Sequence, residues 1–387
     1  MKKVTLIIIL LLSVGMLFSQ EVATQHWKFK DHISIDGYVK YLPSVSFIKG
    51  SDTKFDHLIH NRININAYLT DYLSAKVAIR NRIFFGETVK ATPNFGELIA
   101  VDNGELDLSF LVINKKKLVA HSIIDRAFVD YSKGSWQLRL GRQRINWGIN
   151  LAWNTNDLFN AYNIIDFDYE ERAGTDALRL QYSLKSATLE LAYAPGKDID
   201  HSVIGARYAF NSWNYDFQLL AANFNTDIAL GAGWAGNIKN AGFKGEATYF
   251  LDKNNVENTL SISTSLDYFF RKGMYLNLSI LYTSNGENTF NPNVFNFISS
   301  TLSAKNLMPT KYSYLVQVSK EFNPRFKSSL LTIYGQGMYI VFFMPSLDYA
   351  IKENWDLNLT GQLFYARQQD SFGSINNSIF LRLQYSF

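Results

Sequence analysis

Basic side chains recur at alternate positions in consecutive segments of the first half of the sequence. In one segment, Lys76, Arg80 and Arg82 share the same parity. Successive side chains of a strand point to opposite faces, so these cations are predicted to lie on one face. A wall of cations along a cavity would attract anions and sort solutes by charge. The predicted basic wall comprises Arg62, Lys76, Arg80, Arg82, Arg126, Arg139, Arg142 and Arg144.

Within this wall, Arg142 and Arg144 have the opposite parity to Arg139. A strand keeps its alternation unless an extra residue interrupts it. The pattern therefore predicts either a β-bulge near Gly141 or a strand that leaves the lipid there.

Carboxylates are concentrated in a later stretch, 148–174, which also contains Trp153, Phe159, Tyr162 and Phe167. A loop so rich in aromatic residues is predicted to fold back against the basic face. Opposed cations and carboxylates would create a transverse field across a passage. The alternative is a set of structural salt bridges that fix a plug with no path through it. The acids are Asp157, Asp166, Asp168, Glu170 and Glu171.

Residues suited to nucleophilic catalysis are few. Serine follows histidine directly at His121-Ser122 and His201-Ser202. Neighbours on a strand face opposite ways, so neither pair can form the required hydrogen bond between nucleophile and base. Only pairing between distant residues leaves a hydrolase open, and no catalytic residue is predicted.

Metal and nucleotide sites receive little support. His57 and His60 would point to opposite faces of a strand, so a surface loop is favoured over a metal site. The glycines at 231, 233 and 236 match a dinucleotide fingerprint, but they lie in an alternating segment that opens no helix. They are predicted instead to allow close approach of a neighbouring group. The sequence contains no cysteine, and no metal or other cofactor is predicted.

The elements that would position these residues are strands. Over 378–387, Ile379, Leu381, Leu383, Tyr385 and Phe387 alternate with mostly polar residues. This ending resembles the C-terminal strand of Gram-negative outer-membrane β-barrels; the alternative is an edge strand of a soluble sandwich.

Turn signals divide the chain into many alternating segments. Short turns are predicted at 70–72, 133–135, 184–186, 211–214, 237–241, 271–273, 323–325 and 352–354. Mostly longer connections lie between them, at 42–56, 87–120, 148–174, 194–201, 223–228, 251–258, 284–309, 335–338 and 368–374. This alternation is typical of membrane barrels. It predicts an all-β, transmembrane, antiparallel up-and-down barrel of about 18 strands, with about 16 as the alternative. Its least certain parts are the first strand, near 33–41, and the break at 335–338.

The N-terminus and the composition fit this architecture. Residues 1–19 combine two lysines, an apolar run and small residues, which predicts a signal peptide followed by a single barrel domain, 20–387. The hydrophobic fraction of 47% suits a barrel in which alternate residues meet lipid. The formal charge of +4, without a basic block, gives no reason to expect nucleic-acid binding.

A short segment adds a family resemblance. The run 138–148 contains Gly141-Arg142-Gln143 and Trp147-Gly148, and Asn154 and Asp157 follow. This resembles segments of porin-like and exporter-like outer-membrane barrels, although Thr155 stands where proline is usual.

Pattern and resemblance together predict a function. The expectation is a porin-like channel in the outer membrane of a Gram-negative bacterium, passing small hydrophilic, anionic solutes by diffusion through a constriction at 148–174. Expected partners are outer-membrane lipid, the barrel-insertion machinery and the solutes, with a homotrimer left open. The alternatives are a plugged structural or adhesion barrel and an outer-membrane hydrolase.

Overall fold

The structure is a computed structural model that describes residues 32–48, 50–102, 104–161, 164–168, 171–289, 302–368 and 371–387. The predicted signal peptide, 1–19, lies outside these residues, as does Glu170. In the described part of the chain, no helix is both long and apolar enough to cross a membrane.

Strands account for most of the described chain. They are β1 Ile33–Ile48, β2 Lys54–Tyr68, β3 Leu73–Gly86, β4 Ser109–Lys115, β5 Leu118–Lys133, β6 Trp136–Gln143, β7 Thr175–Ser183, β8 Ala187–Ala194, β9 Val203–Ser212, β10 Tyr215–Phe224, β11 Asp227–Ile238, β12 Ala241–Asp252, β13 Thr259–Phe270, β14 Met274–Thr283, β15 Tyr312–Asn323, β16 Phe326–Gly335, β17 Ile340–Lys352, β18 Trp355–Gln368 and β19 Ser371–Ser386. Helices α1 Glu87–Ala91 and α2 Phe95–Ile99 precede β4, and a 3₁₀ turn covers Ile199–His201.

All strands except β4 form a closed antiparallel barrel of 18 strands, as predicted. The last strand returns to the first, with Tyr385 of β19 opposite Val39 of β1. Backbone hydrogen bonds of 3.0 Å in both directions join Phe387 to Gly37. The half-buried C-terminal strand therefore closes the barrel.

The predicted turns all fall between consecutive strands of the barrel. The two least certain features are present as well. The first strand, expected near 33–41, extends over Ile33–Ile48, and the predicted break at 335–338 separates β16 from β17. Local turn chemistry thus identified the short turns of the barrel, whereas the β4–β5 hairpin lies inside the predicted connection 87–120 and was not expected.

Side chains alternate between lipid and lumen along the strands. Leu189 and Leu191 of β8 point outward and are 47% and 55% exposed, whereas Glu190 between them points inward and is 1% exposed. At the ends of the strands the outward face is aromatic. The rings of Trp136 and Tyr182 lie 4.5 Å apart there, as expected of an interfacial girdle.

Strand β5 pairs with different neighbours along its length. Its N-terminal part, 118–123, pairs with β4, and its C-terminal part, 127–133, pairs with β6. Opposite β3, Arg126 pairs with Ala78 and Ile124 with Ile79, which leaves Asp125 as an extra residue. This bulge brings both Asp125 and Arg126 to the luminal side. Strand β6, by contrast, keeps its register through Gly141 and ends at Gln143, so the first predicted alternative, a bulge near Gly141, is not observed.

The rim of the barrel is uneven. Strands β6, β7 and β8 have 8, 9 and 8 residues. Strands β1, β5 and β19 have 16 residues each. A tilted strand of about 9–11 residues spans a bilayer, so the side formed by β19, β1 and β5 rises above the membrane. The connection 144–174 leaves the wall on the low side, between β6 and β7.

Candidate functional site

Residues 144–174, here called the crossing segment, contact luminal side chains on both sides of the barrel. Gln218 of β10 donates a hydrogen bond to the Trp147 carbonyl at 2.7 Å. Gln362 of β18 donates to the Ile165 carbonyl, also at 2.7 Å. The first part, 145–160, lies against one wall, and the second part, 164–168 with 171 and 172, lies against the opposite one.

The first part is fixed by a buried carboxylate. Glu246 of β12 is fully buried and accepts hydrogen bonds from the backbone amides of Ile149, Asn150 and Asn156. The bond to Asn150 is 2.6 Å and the bond to Asn156 is 2.9 Å. One side chain thus binds both ends of the stretch 149–156.

Neutral side chains of the same wall add further bonds. Ser263 donates to the Trp153 carbonyl at 2.7 Å, and Thr248 donates to the Thr155 carbonyl at 2.7 Å. Ser265 donates to the side chain of Asn150. Inward-facing hydroxyls of β12 and β13 therefore satisfy the polar backbone of a segment that is buried inside the barrel.

Small residues make room for this packing. A Cβ atom on Gly233 would lie 2.9 Å from Ile149 and 3.1 Å from Asn156. A Cβ on Gly205 would lie 2.8 Å from the ring of Trp147. Close approach by a neighbouring group explains glycine at both positions; it was predicted for Gly233 but not for Gly205.

An ionic cluster lies at the start of the first part. The indole of Trp147 donates to Glu190 at 2.7 Å, and Arg179 and Arg207 bind the same carboxylate at 2.8 and 3.0 Å. Glu190 is 1% exposed. Its charge is thus balanced by two guanidinium groups.

The second part is held by charged groups. Asp168 accepts from His60 at 2.8 Å and lies 3.4 Å from the ammonium group of Lys40. Glu171 accepts from the Tyr38 hydroxyl at 3.2 Å. Burial disfavours the Asp168 carboxylate, but the hydrogen bond from His60 and the charge of Lys40 hold its pKa below the usual value.

Asp157, in the first part, is a buried carboxyl group whose pKa is raised, in contrast to that of Asp168. It is fully buried, its Oδ1 accepts from the Trp147 amide at 3.4 Å, and its Oδ2 lies 4.0 Å from Arg172. Burial raises the pKa of Asp157 to about 7, and the nearby carboxylate of Glu246 adds to this effect, although the Trp147 amide and the charges of Arg144 and Arg172 oppose it.

A cavity of about 260 Å³ lies between the second part and the wall. Arg80, Arg82 and His60 contribute basic groups to its lining, and Asp166 and Asp168 contribute carboxylates. Apolar side chains complete the lining, including Phe167 and Phe380, whose rings are 5.0 Å apart. Opposite charges thus meet across a narrow space inside the barrel.

The predicted basic residues are distributed unevenly. Arg62 binds Asp125 at 2.5 Å, and Arg139 binds Asp130 at 2.6 Å. Arg126 donates to the carbonyls of Glu171 and Arg172 at 2.7 and 2.6 Å. Lys76 lies on the luminal side of β3, and Arg144 is half-buried in the crossing segment.

Arg142 occupies a different setting. It binds Asp102 at 2.6 Å and Asp176 at 2.8 Å, and it donates to the carbonyl of Ile124 at 3.2 Å. This is the point at which β5 changes partner from β6 to β4. Arg142 therefore joins elements of the wall, and it is 3% exposed.

Several luminal residues with close partners were missing from the sequence interpretation. Lys40, Asp125, Arg179, Glu190, Arg207 and Glu246 all point into the barrel and bind partners there. Extending the alternation rule to β7–β12 would have identified Arg179, Glu190 and Glu246. A second inward connection was also missed: Leu307 and Met308 are buried in the same apolar cluster as Trp153.

The histidines do not form a metal site. They lie on strand β2 and not in a surface loop, and they point to opposite faces, as alternation requires. His57 stacks on Phe85 with a centroid distance of 4.8 Å, whereas His60 binds Asp168. No group of three or more metal-ligating His, Cys, Asp or Glu side chains occurs in the described chain.

A serine and a histidine do meet, at Ser109 and His121, 2.7 Å apart. Arg82 can only donate, so the Nδ1 atom of His121, 3.1 Å away, must accept. The Nε2 atom of the neutral ring then carries the proton and donates to Ser109, whose hydroxyl donates to the Ala100 carbonyl at 2.6 Å. Hydrogen bonds in these directions do not prepare the serine as a nucleophile.

No protein-family model and no curated protein matches the chain. Solved structures do. Acinetobacter baumannii OccAB4 aligns with a TM-score of 0.60 and 10% identity, covering 92% of this chain and 98% of that one. Pseudomonas aeruginosa OccK9 (OpdG) aligns with a TM-score of 0.59 and 11% identity, covering 93% of this chain and 100% of that one. Pseudomonas aeruginosa OccK8 (OprE) aligns with a TM-score of 0.58 and 10% identity, covering 92% of this chain and 98% of that one. This chain therefore shares the closed antiparallel β-barrel fold of these structures.

Proposed function

We propose that this protein is a channel in the outer membrane of a Gram-negative bacterium. It would pass small hydrophilic, anionic solutes by passive diffusion. The observation that carries the proposal is the cavity in which Arg80 and Arg82 meet the carboxylates of the crossing segment. Charged groups placed opposite one another across a narrow space sort solutes by charge.

Within this proposal, the crossing segment forms the constriction. Arg62, Arg139 and Arg142 each bind a carboxylate at 2.5–2.6 Å, which reduces the field that they project into the lumen. We assign the attraction for anions mainly to Arg80 and Arg82 because both line the cavity, with Lys76 as a further contributor. Arg142 is left out of the pathway because it joins elements of the wall.

Further elements of the proposal concern the surroundings of the barrel. Its partners would be outer-membrane lipid, the barrel-insertion machinery and the solutes, without nucleic acid or a cofactor. A homotrimer is the assembly proposed for a barrel of this kind.

One observation favours a second candidate, a structural or adhesion barrel with a plugged lumen. Glu246 on one side and Lys40 on the other both bind the crossing segment, so the segment bridges the barrel. A hydrolase receives no comparable support. The hydrogen bonds at Ser109 run in the wrong direction for catalysis.

The experiment that tests the proposal is single-channel recording of the refolded mature protein in a planar bilayer, with the reversal potential measured under a potassium chloride gradient. Discrete conductance steps with a preference for chloride are expected. Silence from protein that is separately shown to be a folded barrel would favour the plugged alternative. A preference for potassium would contradict the assignment of Arg80 and Arg82.

A further inference from the structure

Glu246 differs from the other luminal carboxylates in what balances its charge. Asp125, Asp130 and Glu190 each bind at least one arginine at 3.0 Å or less. Among the described residues, no lysine, arginine or histidine lies within 4.0 Å of Glu246. The carboxylate is bound by backbone amides of the crossing segment.

This arrangement has a mechanical consequence. Oε1 accepts from the amides of Ile149 and Asn150, and Oε2 accepts from the amide of Asn156. Hydrogen bonds from N–H groups to a carboxylate are among the stronger ones in proteins, and converging peptide dipoles form a natural anion site. The two oxygens therefore hold two separate points of the segment at a fixed distance from β12.

We propose that Glu246 is the positioning residue that sets the place and width of the narrowing in the lumen. This inference rests on the proposed function, because it assumes that the crossing segment narrows the solute path. The neighbouring serine and threonine hydroxyls bind carbonyl oxygens of the segment. Glu246 is the wall side chain that binds its amides at both ends of 149–156.

Conservative substitutions separate the shape of this side chain from its charge. Glu246→Gln keeps one acceptor oxygen but turns an amide N–H₂ group toward a backbone donor, which leaves a buried N–H without a partner. Glu246→Asp keeps the charge on a side chain one methylene shorter, which cannot reach both contact points equally well. We expect a large displacement of the segment with glutamine and an intermediate one with aspartate.

Because the sequence contains no cysteine, a single introduced cysteine can be labelled without background from other thiols. Thr155 is fully buried in the crossing segment, so a Thr155→Cys variant should react slowly with a membrane-impermeant maleimide. Adding Glu246→Gln should accelerate labelling by about tenfold or more, since reactivity follows the population of the released segment. The matched control is Asp267→Asn on β13, a luminal carboxylate 3.7 Å from Lys244, which removes the same charge.

Conductance of the same variants separates the two proposals. Faster labelling together with altered conductance in Glu246→Gln, and neither in Asp267→Asn, supports both. Faster labelling with unchanged conductance keeps Glu246 as the anchor but overturns the segment as the constriction. Unchanged labelling overturns the inference, whatever the conductance. Should Glu246→Gln fail to assemble, Glu246→Asp serves as the second variant, and labelling at the control rate would overturn the inference.

Discussion

The two parts of the crossing segment are held in the barrel by different kinds of interaction. The first part, 145–160, is bound mostly by neutral hydroxyls, by packing against glycine and by amide bonds to one carboxylate. The second part, 164–168 with 171 and 172, is bound by an ion pair to Lys40 and a hydrogen bond from His60 beside the cavity. If the crossing segment is the proposed constriction, one set of contacts would fix its position and another would place its charge.

The difference matters because the two sets respond to different conditions. Neutral hydrogen bonds depend little on salt, whereas ion pairs that can meet water are screened. Asp168 is 14% exposed as a side chain and borders the cavity. The second part is thus the one that changes in ionic strength can loosen.

The largest effect should come from removing parts of both regions. Deleting 153–170 takes out the aromatic and acidic core of the crossing segment. If this segment narrows the path, conductance should rise roughly twofold or more, because the narrowest point dominates the resistance of a pore. Single-channel recording measures the change, and an unaltered conductance would place the segment outside the solute path.

Charge reversal at the cavity tests the second region alone. Replacing Arg80 and Arg82 by glutamate should change the ratio of anion to cation permeability by about tenfold, as expected for charges within several ångströms of a passing ion. The reversal potential reports the change. The control is Lys115→Glu with Lys116→Glu at the β4–β5 turn, which alters the net charge equally. An equal shift in the control pair would trace selectivity to the overall field of the protein.

Breaking the ion pair of the second part should have a smaller effect. Asp168→Asn leaves the ammonium group of Lys40, which is 1% exposed, without its carboxylate. Removing one partner of a buried pair costs about 3–5 kcal/mol, so the second part should loosen and open-channel noise should rise. Adding Lys40→Met should restore quieter channels, because no unpaired charge then remains buried. Noise that persists in the double variant would assign the effect to the lost contact with His60.

The lowered pKa of Asp168 also determines how the packing of the second part responds to pH. Its ion pair stabilises the packed segment above the pKa of the released carboxyl group, about 3.9. That contribution is lost only as the pH falls through the lower value of the packed state. Mild acid should therefore leave the second part in place.

Much of the barrel could be predicted from sequence because its signals are local. Alternation has a period of two, and short turns carry their own residue preferences, so the hairpins required no long-range information. Even the parity conflict at Gly141 was informative, since β6 ends two residues later, at Gln143.

The partners of the crossing segment could not be predicted in the same way. Glu246 lies 90 or more residues from the amides that it binds, and such pairings depend on the closed barrel. The luminal position of Asp125 depends on a bulge that is visible only in the pairing of β3 with β5. The alternation that assigned Arg62 to the lumen could not reveal that a carboxylate 2.5 Å away would partly neutralise it.

The smallest expected effect concerns the one titratable group of the first part that is poised near neutrality. Asp157, with a pKa raised to about 7, keeps its proton in the packed segment at a pH where a released carboxyl group would ionise. The contribution of Asp157 to the stability of the packed first part is therefore largest below about pH 4. It decreases as the pH rises and levels off above about pH 7, with a total change in free energy of at most about 4 kcal/mol. Glu246, Arg144 and Arg172 are the charged groups that act on Asp157.

Open-channel noise should accordingly be greater at pH 8 than at pH 5, with little change in mean conductance, because the hydroxyl bonds from Ser263 and Thr248 keep the first part in place. Asp157→Asn cannot ionise, so its noise should be the same at both values. A pH dependence that survives in Asp157→Asn would move the titration to another group, and Glu246, which binds the amides of the first part, would be the next to replace. The carboxylate that anchors the first part would then govern its response to pH.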